Sequence, residues 1–169
     1  MITINDAFRK FLNEQEANLK SDTFLDCEDV ILLYEEFLEF SAEDCLSEED
    51  RDLYAGQHEH DNKNYGDIFG PENLIPSGIK NFLEDYVVEE GGGKKFIGTA
   101  AKVLQNFFEW AQEKGYIEEK VFEANSKVLA KYKKRYWGDF AGMKTGESSF
   151  QAVPFCPSFS VFSFLFQNL

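Results

Sequence analysis

The sequence predicts an all-α fold, a bundle of about five helices, on three observations. Apolar residues recur at three- and four-residue steps in successive segments, and glycine and proline fall between those segments. The composition, 43% apolar with 18 phenylalanines, supplies enough apolar surface to offset the entropy of ordering the chain.

The first helix runs from Ile4 to Leu19, where Ile4, Ala7, Phe8, Phe11 and Leu12 form a stripe and Thr3 or Asn5 can cap it. A second starts near Ser21 to Thr23 and continues to about Cys45, with Cys27, Val30, Ile31, Tyr34, Phe37, Leu38 and Ser41 on one face. Its outer face carries Asp26, Glu28, Asp29, Glu35, Glu36 and Glu39. The polar segment SEEDRDLYAGQHEHDNKNYGDIFGPEN, with Gly56, Gly66, Gly70 and Pro71, reads as a short helix followed by a long loop.

Pro76 suits the first turn of the next helix, whose face is Ile79, Phe82, Leu83, Tyr86 and Val87. Gly91, Gly92 and Gly93 end it, because glycine loses the most backbone freedom on entering a helix. From Lys95 to Lys114 the stripe is Ile97, Ala100, Ala101, Val103, Leu104, Phe107, Phe108 and Ala111. Gly115 is placed as a left-handed C-cap, and Trp110 falls off the stripe as a candidate contact residue. The last helix spans Glu118 to Tyr136 through Phe122, Ala124, Val128, Leu129 and Tyr132. Residues 1–140 thus read as one helical domain.

Residues 141–169 read as an appended Phe-rich tail, docked or disordered. Its last 22 residues, SSFQAVPFCPSFSVFSFLFQNL, carry no charge and have the β-propensity of an aggregation-prone segment. Three readings stay open: an extended strap on the helical body, a segment that binds a partner or membrane surface, and a frame-shifted end.

The net charge of −14 is unevenly spread, −18 over residues 1–90 and +4 over residues 91–147. The acidic half repels nucleic acid and phospholipid, so any such contact falls to the later half. Cys27, Cys45 and Cys156 form no CxxC pair and no even disulfide set, which implies a reducing, cytoplasmic setting. No apolar run of membrane-spanning length precedes the tail.

No catalytic, cofactor-binding or metal-ligating set is expected, and no cofactor. EEGGGKKFIGT fails as a phosphate loop: Val88 stands where the first glycine belongs, Lys95 follows Lys94, and the segment follows a helix rather than a strand. His58 and His60 in QHEHD have the wrong spacing for HExxH and no matching pair elsewhere, so they read as a solvated loop. Cys27 and Cys45 read as core or edge thiols, and the many acidic residues single out no acid and base pair.

The positive cluster is SKVLAKYKKRYW, where Lys127, Lys131, Lys133, Lys134 and Arg135 interleave with Tyr132, Tyr136 and Trp137. Such residues can neutralise phosphates and stack on bases; equally, cations complement a helix C-terminus and aromatic rings complete a core. Lys94, Lys95 and Lys102 extend this surface if the last two long helices lie side by side.

The order NLKSDTFLDCEDVILLYEEFLEF, IPSGIKNFLEDYV, KKFIGTAAKVLQNFFEWAQEKGYI resembles the SAM-like core-binding domain that precedes the catalytic domain of tyrosine recombinases and phage integrases. The resemblance covers roughly residues 19–118 and implies a DNA-embracing helical bundle. This chain departs from it in the acidic second helix and in lacking room for the Arg, His and Tyr of a recombinase catalytic domain. Two functions follow as expectations: a non-enzymatic interaction module with a protein partner, or a DNA-binding or recombination accessory module acting through the basic last helix.

Overall fold

The computed structural model describes residues 2–137, apart from the side chains of Asp44 and Trp137. The expected boundary at residue 140 and the tail at 141–169 lie outside the described residues. Those described form helices without strands, as expected. The helix α1 (Ile4–Asn18) is capped by Thr3, whose Oγ1 accepts the Asp6 N–H at 3.2 Å. It is followed by α2 (Ser21–Phe40), a 3-10 turn at Glu43–Cys45, and α3 (Glu48–Asp61), which Ser47 caps.

Then come α4 (Tyr65–Ile68), a 3-10 turn at Pro71–Asn73, and α5 (Pro76–Asn81). The last of these runs through a π-helical segment (Phe82–Tyr86) into α6 (Val87–Glu89). Two long helices, α7 (Lys94–Glu113) and α8 (Glu119–Trp137), complete the described chain.

The expectation of about five helices is too coarse, because the segment read as a short helix and a loop is mostly helical. Tyr54 of α3 packs on Tyr65 and Phe69, with Tyr54–Tyr65 ring centroids 5.9 Å apart and Tyr65–Phe69 4.7 Å apart. These three aromatic anchors hold a segment whose average composition is polar. The second helix stops at Phe40 rather than Cys45, and a 3-10 turn carries the chain onward.

The helix α7 lies at the centre, touching α1, α2 and α8. Phe107 meets Phe8 at 4.7 Å and Phe11 at 5.5 Å, while Tyr34 of α2 meets Phe82 at 4.7 Å. Each such side chain, fully buried, contributes about 1.5–3 kcal/mol. The helices α7 and α8 form an antiparallel hairpin, and Gln105 Nε2 donates to Ser126 Oγ across it at 3.0 Å.

Both glycine stops are Schellman motifs. After α7, Gly115 adopts φ +71°, its N–H donates to Gln112 O at 2.9 Å, and the Tyr116 N–H donates to Ala111 O at 2.8 Å. After α6, Gly91 adopts φ +81° with the equivalent bonds to Val88 O and Val87 O. The sequence places both stops correctly.

Candidate functional surfaces

The amphipathic rule predicts a polar outer face for α2, and the helix departs from it. Its inner face buries Cys27, Val30, Ile31, Tyr34, Phe37 and Leu38, leaving Leu25 51%, Leu32 54% and Phe40 76% exposed. At 3.6 residues per turn these three fall within an arc of about 80°, along about 22 Å of helix. Asp22, Asp29 and Glu36 are exposed on the same side. Partial burial, then the charges of Asp26 and Glu28, hold the Asp29 carboxyl above its ordinary range. Partial burial, then Glu90, does the same to Glu36. Among the described residues, none of these carboxylates sits in an ion pair.

The sequence predicts only acids on this face, whereas the structure also exposes Leu25, Leu32 and Phe40 there. The available signal was the number of apolar residues in α2 that one buried stripe cannot hold. Two acids expected on the outer face also serve elsewhere. Glu35 and Glu39 line a polar notch of about 130 Å³ with Asn5, Asn64 and Gly66, where α1, α2 and α4 meet. Glu39 Oε2 accepts the Tyr65 N–H at 2.8 Å, its Oε1 accepts the Tyr54 hydroxyl at 3.4 Å, and Asn5 Nδ2 donates to Asp67 Oδ1 at 2.8 Å. Burial, then the Asp67 charge, pushes the Glu35 carboxyl up to about 7. The notch joins three helices through polar contacts.

The basic cluster divides between surface and core. Lys127, Lys131, Lys134 and Arg135 are exposed on α8, and Lys133 is half-buried. Tyr132 is buried and its hydroxyl donates to Glu84 Oε1 at 2.7 Å, so it presents no free ring to a base. Arg135 lies over the Tyr136 ring at 5.4 Å, and the Trp137 side chain lies outside the described residues. The hairpin brings the start of α7, with Lys94 and Lys95, to the end where α8 finishes.

Other sequence candidates resolve as follows. Trp110 is not a surface contact: it is 7% exposed, packs on Phe11 and Tyr116, and donates from Nε1 to Glu14 Oε2 at 3.0 Å. The Glu14 carboxylate also pairs with Lys114 at 2.8 Å, tying α1 to the end of α7. His58 and His60 lie on α3 rather than in a loop, with His58 Nδ1 3.0 Å from Lys63 O. Among the described residues no three His, Cys, Asp or Glu side chains are grouped to hold a metal.

Cys27 is buried, and that burial pushes its thiol up to about 11, which leaves it unreactive at neutral pH. Cys45 accepts a long contact from Asn81 Nδ2 at 3.6 Å, while Cys156 lies outside the described residues. No described helix is long and apolar enough to cross a membrane. Comparison of the chain with protein-family models, with curated proteins and with solved structures finds no match.

Proposed function

We propose that the chain is a non-enzymatic helical interaction module that binds a protein through the outer face of α2. The observation that carries this reading is the row Leu25, Leu32 and Phe40, exposed on a helix whose opposite face already fills the core. Large apolar side chains exposed along one side of a helix, interleaved with charge, have the composition of a contact surface. The test compares capture of cellular proteins by the full chain and by a Leu25→Ser/Leu32→Ser/Phe40→Ser variant, with helicity checked by circular dichroism. The variant stays helical and loses the captured partner. Equal capture by both refutes the assignment, and turnover of a small molecule by the pure protein refutes the non-enzymatic reading.

A second reading, a DNA-binding or recombination accessory module with a SAM-like core, is favoured by the exposed Lys127, Lys131 and Lys134. They follow i, i+4, i+7 spacing, which sets them in one row for phosphate contacts. This reading predicts duplex binding that weakens steeply with salt and on charge reversal of Lys131, Lys134 and Arg135. Absence of binding at low salt removes it.

A further inference from the structure

We infer that the outer face of α2 receives a basic amphipathic helix from another protein, an inference that rests on reading this face as the contact surface. The apolar row alternates with carboxylates: Asp22, Leu25, Asp29, Leu32, Glu36 and Phe40 follow one another at three- and four-residue steps. A facing helix meets such a row with its own apolar side chains in the same rhythm, over about four turns. The carboxylates then call for lysine or arginine flanking those apolar side chains. Within the described residues no cation supplies that compensation, and like charges crowd Asp29 and Glu36.

Charge and shape disfavour two other occupants. A second copy applied through its own α2 would bring three more carboxylates to the same seam and no cation to compensate them. Applied through α8 it would offer Ala124, Lys127, Lys131 and Lys134, a row with cations and no large apolar group. Residues 148–169 have apolar side chains in abundance and no charge, so they would leave the carboxylates uncompensated.

The test uses the full chain and three labelled helical peptides, read by fluorescence anisotropy at about 50 and about 300 mM salt. One peptide is Leu/Lys amphipathic, one Leu/Glu amphipathic, and one Lys/Ala with no large apolar side chain. The Leu/Lys peptide binds, weakens with salt, and loses on the order of tenfold or more in affinity with Leu32→Ser/Phe40→Ser. The charge reversal Asp29→Lys/Glu36→Lys weakens it likewise, whereas Glu48→Lys/Glu49→Lys on α3, with the same change in net charge, leaves binding intact.

Equal binding of the Leu/Glu or Lys/Ala peptide, or of all the protein variants, overturns the proposal, as does binding of none. Hydroxyl-radical footprinting of Phe40 in the free protein, paired with the mass in solution, adds a separate check. Protection in a monomer assigns the face to the chain's own residues, and protection in a dimer assigns it to a second copy; either overturns the proposal. If the serine variant loses its captured partner yet no Leu/Lys peptide binds, the contact surface stands and the partner chemistry alone falls.

Discussion

Replacing Glu35 by glutamine isolates the pH response of the notch between α1, α2 and α4. The Glu35 carboxyl moves from its ordinary 4.5 to about 7 in the folded chain, chiefly by burial and secondarily by Asp67. Between those two values the folded state holds a proton that the unfolded state has released, so stability falls as pH rises through the window. At 1.36 kcal/mol per pH unit the full gap is worth about 3.4 kcal/mol, and solvent reaching the notch reduces this to about 1–2 kcal/mol.

Urea unfolding of the wild type and Glu35→Gln at pH 5 and pH 8 measures the difference. Asp29 and Glu36, also raised, act in the same direction in both proteins, so the comparison cancels them. The wild type loses about 1–2 kcal/mol more than the variant over that range. Parallel pH profiles would refute the argument that burial of this carboxylate is costly.

Two further substitutions test the core and a helix end. Tyr34 is fully buried and its hydroxyl has no hydrogen-bond partner among the described residues. Tyr34→Phe therefore raises stability by about 1 kcal/mol, read as a higher urea midpoint at unchanged slope, and a lower midpoint would show that the hydroxyl is satisfied. Gly115→Ala forces a Cβ into left-handed backbone at φ +71°, costing about 1–2 kcal/mol by thermal unfolding, and an unchanged Tm would dispose of the Schellman stop as a source of stability.

The all-α class and both glycine stops were legible because local chemistry decides them. Gly115 takes the left-handed conformation that its position after an apolar stripe predicts, and the glycine run ends α6 as expected, with Gly91 also left-handed. The expected stripe of α7 leaves out Trp110, which is nonetheless buried, because a helix with neighbours on several sides buries its edge residues as well. Whether Phe11 and Tyr116 would close over Trp110 depends on residues far away in the chain, which periodicity within α7 does not contain.

The structure of residues 48–73 was obscured by their many polar side chains, since Tyr54, Tyr65 and Phe69 are too few to set a helical period. The π segment Phe82–Tyr86 has no sequence signal that we can name. On α2 the expected stripe from Cys27 to Leu38 is buried, while Ser41 falls past the helix end and the outer face carries Leu25, Leu32 and Phe40 among its acids. The period of α2 puts Glu39 on the outer face and gives no sign of its partner, the backbone of Tyr65, which is 26 residues away.

The tie between α1 and α7 also has a consequence for the timing of synthesis. Glu14 and Trp110 are 96 residues apart, so a ribosome adding about 5–20 residues per second produces the partner about 5–20 seconds after the acid. Phe8 and Phe11 must wait as long for Phe107. The α7–α8 hairpin needs no comparable delay, its halves being contiguous. The helix α1 also packs on α2 and α4, so its seat is built in stages: Phe8 can meet Tyr34 early, and the aromatic pocket closes over Phe8 and Phe11 only when α7 is made.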